Sequence, residues 1–145
     1  MLRFSVLLIG VLISIQASAQ KFVPGLWKSR TTLRLNGIPM PDSRAENCIS
    51  DIQAKDARAT LEDELKKQGC YLTKWEVKNK NLDADVKCDN QNLLANGKLS
   101  GPFTEKKYDL RGEAKGKYKR ALPSIAAITM TGEWVAEKDC DVKTE

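Results

Sequence analysis

All four cysteines of this 145-residue chain, Cys48, Cys70, Cys88 and Cys140, follow an N-terminal segment with the marks of an export signal. Arg3 supplies a positive start, Phe4 to Ile15 are apolar apart from Ser5, Gly10 and Ser14, and Ala17-Ser18-Ala19 offers a small-x-small cleavage site. Residues 1–19 are therefore expected to be a signal peptide, and residues 20–145 a single disulfide-stapled β-rich domain. The cysteines then meet an oxidising compartment, periplasmic or secreted, and read as two disulfides. No C-x-x-C pair occurs among them, which argues against a redox motif or a zinc cluster.

Composition narrows function chiefly by what is missing. The chain has no histidine, which closes off Ser-His-Asp and Cys-His catalysis, histidine-ligated zinc and the usual proton shuttle near neutral pH. The formal net charge is +5, and the basic residues are interspersed with acidic ones rather than gathered on one helix. Nucleic acid is thus not an expected partner. Beyond the signal no stretch approaches the ~20 apolar residues of a spanning helix, so no transmembrane anchor is expected after cleavage. Neither a cofactor nor a metal is implied.

Period-two alternation sets the fold class. From Trp27, the odd positions Trp27, Ser29, Thr31, Leu33 and Leu35 oppose Lys28, Arg30 and Arg34, as in a half-buried strand. Asn36-Gly37 reads as a turn, Pro39 and Pro41 keep both flanks from being central strands, and a short strand is expected near Arg44 to Ile49. Ser50 and Gln53 have capping-box spacing, and Ala54, Ala57, Leu61 and Leu65 form an apolar stripe. One helix is expected here, broken near Asp56, supported by Glu62/Lys66 and Asp63/Lys67 and ended by Gly69.

Tyr71 to Val77 and Leu82 to Cys88 read as a hairpin about Asn79-Lys80. A two-residue turn sets Val77 opposite Leu82, Trp75 opposite Ala84 and Thr73 opposite Val86. Further strands are expected at Leu93 to Leu99, Lys107 to Gly112, Ala114 to Arg120 and Ile128 to Val135. The fold class is mainly β: an antiparallel meander curled into a small barrel or sandwich, with one inserted helix closing an open side or end.

The disulfide pairing follows less directly. Cys48 and Cys70 bracket the helix, and joining them closes a loop worth about 3 kcal/mol in the chain-entropy model, which leaves Cys88 for Cys140. That is the expected pairing. Cys70 with Cys88 is the alternative, since they begin and end one hairpin. The register above sets Cys88 opposite Tyr71, and a bulge would be needed to repair it.

Pro24-Gly25-Leu26-Trp27, then Gly37 and Met40 among prolines, then Cys48 before a helical insert, Cys70, a hairpin ending at Cys88 and a last cysteine together form a pattern. It resembles the small exported bacterial proteins grouped as domain of unknown function family 3617, from Pro24 to Cys140. Lys28 stands where an acidic residue is common in that family, and Glu137-Lys138-Asp139 replace a glycine-containing approach to the last cysteine. The resemblance implies an exported, β-rich protein and brings no catalytic residues.

Four groups of side chains are candidates for function. Glu76 faces Asp83 in the hairpin register, near Asp85 and Asp89, so a carboxylate pair of glycosidase type or a calcium site is conceivable, set against a solvated face among Lys74, Lys78, Lys80 and Lys87. Lys115, Lys117 and Lys119 alternate along one strand, either as a contact stripe for an anionic lipid, polysaccharide or partner, or as protection of a sheet edge. Trp27, Trp75 and Trp134 belong to the core or line a ligand cavity. Leu122 to Met130 either enters the core or leaves an exposed partner surface. The leading expectation is a non-enzymatic exported domain that binds a ligand or protein partner in the cell envelope. The alternatives are a lipocalin-like carrier of an apolar small molecule, an inhibitor of a secreted hydrolase, and a carboxylate-pair glycan hydrolase.

Overall fold

Alternation organises most of the chain between Gly25 and Ala136. The computed structural model describes residues 20–67, 69–119 and 121–141, so the expected signal peptide lies outside the described residues. In chain order the elements are β1 (Gly25–Leu35), β2 (Ile38–Pro39), β3 (Ser43–Ile49), α1 (Asp51–Ala54), α2 (Ala57–Lys67), β4 (Cys70–Lys78), β5 (Asn81–Asp89), β6 (Leu93–Pro102), β7 (Lys107–Tyr118) and β8 (Leu122–Ala136).

All eight strands belong to one antiparallel sheet ordered β2-β1-β8-β7-β6-β5-β4, with β3 also paired to β1 on the side that carries β2. The sheet is curled and does not close into a barrel. Its free edges are β3 and β4, and the chain crosses between them through α1 and α2. The insert thus fills the open side, as the sequence suggests. α2 packs chiefly on β4.

Side-chain size explains the curl. On the inner face the rows Val86–Gly97–Ala114–Ala126 and Cys88–Ala95–Gly116–Ser124 are built of small residues, so the strands can bend tightly at that end. At the opposite end Trp27, Phe103, Leu82 and Leu110 are almost wholly buried and fill a wider mouth. Ala57, Leu61 and Leu72 complete this core from the insert and β4. The outer face of β7 is polar, with Arg111, Glu113, Lys115 and Lys117, while the facing start of β8 adds Pro123, Ile125 and Ala127.

Local chemistry fixes the turns and caps. Asn36 and Gly37 both have positive φ, as do Asn79 and Lys80, which matches the two-residue hairpin turns the sequence suggests. Ser50 accepts from the Gln53 amide while the Gln53 side chain accepts from the Ser50 amide, so the capping box is present. The helix breaks after α1, near Asp56 as expected, and Asp56 caps α2 by accepting from the Ala59 amide. The helix ion pairs differ from expectation. They are Arg58–Glu62, Asp63–Lys66 and Glu64–Lys67, because three-residue spacing brings the last two pairs together.

The disulfides overturn the expected pairing: Cys48 joins Cys140 and Cys70 joins Cys88. A bulge between Leu72 and Lys74 leaves Thr73 unpaired, so Leu72 rather than Thr73 faces Val86, and Cys70 comes to face Cys88. Beyond the bulge Trp75 faces Ala84 and Val77 faces Leu82, as the turn dictates. Cys140 reaches Cys48 because β1 lies between β3 and β8, and Leu26 pairs with Cys48 on one side and Ala136 on the other. Gly25 permits this crowding. Its φ is +130°, and a Cβ there would lie 2.5 Å from the Ala136 carbonyl oxygen.

Two further boundaries move. Lys107 to Gly112 and Ala114 onward form one unbroken strand, β7, because Gly112 packs beneath the Lys98 carbonyl and Leu99 instead of turning the chain. The expected end at Arg120 lies outside the described residues. Leu122 to Met130 is the first half of β8. β7 is an interior strand between β6 and β8, so edge protection does not account for Lys115, Lys117 and Lys119.

Candidate functional site

Between the insert and the β1–β3 edge the aromatic core comes close to the surface in a cleft of about 210 Å³. Phe22, Trp27, Ile49, Leu61 and Tyr108 form its apolar part, and Ser29, Glu46, Asn47, Gln53, Thr60 and Glu64 supply the polar groups. It exists because α2 lies towards β4 and leaves the β3 side of the inner face less covered.

The floor is held from several directions. Phe22 sits 4.9 Å from Trp27 edge-on, 5.5 Å from Phe103 and 6.1 Å from Tyr108, centroid to centroid. Trp27 and Tyr108 stack at 6.2 Å, and the Trp27 indole donates to the Val23 carbonyl at 2.8 Å. Such ring pairs add about 0.5–1.5 kcal/mol each beyond burial, which makes this floor a rigid surface. The Phe22 amide donates to Ala54 and the Ala57 amide to Gln20, tying the segment before β1 to both helices.

The rim is partly preorganised. The Asn47 amide donates to Ser29 Oγ at 3.0 Å, and the Thr60 hydroxyl donates to the Gln53 carbonyl at 2.6 Å. Glu64 pairs with Lys67 and Glu46 with Lys28, the latter loosely at 3.7 Å between exposed groups. Burial, reinforced by the Glu64 charge, pushes the Tyr108 phenol up to about 12, so it remains a neutral hydroxyl at physiological pH.

The tryptophans do not share one cavity. Trp27 lines the cleft at 2 % exposure, Trp75 packs edge-on against Phe103 at 5.4 Å, and Trp134 donates to the Pro24 carbonyl with Lys106 over its ring. Lys115 and Lys117 lie along the exposed side of β7 and Lys119 just beyond its end, away from the cleft-lining residues.

The hairpin carboxylates do face one another, Glu76 opposite Asp83, and Lys74 joins them. Its Nζ lies 2.9 Å from Asp83 and 3.7 Å from Glu76, while Lys78 approaches Glu76 at 2.6 Å. The hydrogen bond and charge of Lys74 hold Asp83 below the usual carboxylate range, and those of Lys78 do the same for Glu76. Lys74 is raised in turn, first by its bond to Asp83. Among the described residues no group of three or more acidic or cysteine side chains is placed to hold a metal ion.

Sequence reasoning missed most of the cleft. Trp27 was a candidate, but Phe22, Tyr108 and Glu64 come from separate segments and become neighbours only when the sheet curls. The available signal was apolar phase: Tyr108 and Leu110 alternate with Lys107 and Asp109.

The fold and site define a class: a disulfide-stapled β domain whose open sheet is closed by a helical insert, with a small aromatic-floored cleft at the seam. The profile of a family described as a protein of unknown function (DUF3617) matches residues 22–140, and the chain belongs to that family. No curated protein and no solved structure gave a match. The two disulfides suit an oxidising, non-cytoplasmic environment. Among the described residues no helix is long and apolar enough to cross a membrane.

Proposed function

We propose that this protein is an exported, non-enzymatic domain of the cell envelope that binds a protein partner by receiving one of its side chains in the cleft beside α2. The observation that carries this reading is the combination of a rigid ring floor with a small, polar-rimmed opening. At about 210 Å³ the cleft is smaller than the roughly 300–1,000 Å³ usual for drug-sized ligands. A single lysine or arginine side chain suits it better, with its stem against Trp27 and Leu61 and its charge towards Glu46 and Glu64. Disulfides and packed rings reduce the ordering cost of such binding.

Photocrosslinking in the exporting cell tests this. A photoreactive residue replacing Gln53 at the cleft should capture a discrete partner, whereas the same residue at Lys98 on the outer face should not. Adding Thr60→Trp, which fills the opening, should remove the adduct while leaving the melting temperature within a few degrees. Equal adducts from both positions, or none from position 53, would overturn the proposal.

A further inference from the structure

The end of the sheet remote from the aromatic core carries a second surface. β7 ends there, β8 begins there, and the β1–β2 turn is fastened to it: the Asn36 amide donates to the Ile125 carbonyl and the Ile125 amide to Asn36 Oδ1, both at 2.8 Å. Leu122 is 60 % exposed, Ile125 48 % and Ile38 66 %. Lys115 lies opposite Ile125 and Lys117 opposite Pro123 on the outer face, whereas Leu122, paired with Tyr118, and Ile38, paired with Leu35, take the inner-face phase at the same end, with Lys119 just past the strand. Glu113 approaches Lys115 at 3.5 Å, and Asp89 lies in the Lys117 row, separated from it by Leu94 on β6. Lys119 Nζ lies over the Tyr118 ring, 5.7 Å from its centroid.

We infer that this end docks on an anionic lipid bilayer, with Leu122, Ile125 and Ile38 entering the headgroup region and the three lysines meeting lipid phosphates. Apolar tips beside flexible cations are the arrangement that interfacial binding uses: the side chains bury a modest apolar area while the ammonium groups stay at headgroup level. Interior placement of β7 leaves the lysines without an edge to protect. Charge complementarity selects an anionic surface over a zwitterionic one. Lysines alone would suit an acidic polysaccharide equally, and the exposed leucine and isoleucines favour the bilayer. Binding is peripheral and salt-sensitive.

The test is sedimentation with vesicles, using oxidised protein processed by an exporting host and checked by intact mass. Phosphatidylglycerol/phosphatidylethanolamine vesicles should retain the protein at low salt and phosphatidylcholine vesicles should not. Replacing Lys115, Lys117 and Lys119 together by Ser should lower the partition coefficient by about a hundredfold, each lysine contributing about fivefold. Leu122→Ser with Ile125→Ser should lower it about tenfold and make the remaining binding more salt-sensitive. All five positions are exposed, so the variants should melt as the parent does. Equal retention by both vesicle types, unchanged retention of the lysine variant, or competition by soluble alginate without loss in the Leu122/Ile125 variant would overturn the inference. Thr60→Trp should leave vesicle binding intact, which separates this result from the fate of the cleft proposal.

Discussion

Removing each disulfide in turn should destabilise the domain in the order of the loops they close. Cys48 and Cys140 are 92 residues apart in sequence, and Cys70 and Cys88 are 18 apart. In the chain-entropy model the outer bond restricts the unfolded chain by about 4.6 kcal/mol and the inner one by about 3.2 kcal/mol. Replacing Cys48 and Cys140 by Ser should therefore cost roughly 1.4 kcal/mol more than replacing Cys70 and Cys88. At about 3–5 °C per kcal/mol for a chain of this size, the melting temperatures should fall by about 14–23 °C and 10–16 °C respectively. Urea unfolding of the two double variants and the parent, followed by circular dichroism, gives the free energies directly. Peptide mapping without reductant establishes that each variant retains the other bond. If the Cys70/Cys88 variant proves the less stable, loop closure does not govern, and local packing at the β4–β5 hairpin carries the effect.

Leu110→Ala, at a fully buried position, should cost about 2–5 kcal/mol in the same unfolding assay, and a value under 1 would argue against the packed core. Gly132→Ala should destabilise by about 1–3 kcal/mol or more, because its Cβ would lie 2.2 Å from the Tyr108 ring, and Tyr108→Leu should largely rescue it. Asp83 and Glu76 have pKa values depressed in the folded state, so their contribution is complete above the ordinary values of 3.8 and 4.5 and is lost as pH falls through the folded ones. Lys74→Met should return the Asp83 carboxyl titration, followed by NMR, towards 3.8. Tyr108 is shifted the other way: its contribution is complete below pH 10 and is lost as pH rises through about 12, so Tyr108→Phe should flatten the alkaline limb of a melting-temperature profile.

How far each feature was legible depended on how local its cause is. Alternation in β1, the Asn79-Lys80 turn and the Ser50/Gln53 box act within a few residues, and each stands where the sequence suggests. The Cys70–Cys88 bond depends on one unpaired residue, Thr73, and nothing in Leu72-Thr73-Lys74 distinguishes a bulge from continued alternation. Lys115, Lys117 and Lys119 illustrate a second limit. Lysines alternating with small residues look alike on an edge strand and on the outer face of an interior one, so only the strand order separates the two. The cleft was least visible, since its walls come from β1, β3, α1, α2 and β7.

The nested cysteine pairs also impose a timetable. Synthesis runs from the N-terminus, so Cys48 is available first and Cys70 next, while its native partner Cys140 comes last, 92 residues later. Oxidation in order of appearance would trap Cys48 with Cys70. The β4–β5 hairpin opposes that error, because a hairpin closes in about 1–10 μs, far faster than thiols oxidise. Once formed, it presents Cys70 to Cys88 and leaves Cys48 unclaimed until β8 and the segment after it have passed alongside β1. The outer disulfide therefore closes only once the segment carrying Cys140 is in place, and a product lacking Cys140 would leave the Cys48 thiol without this partner on the edge strand β3.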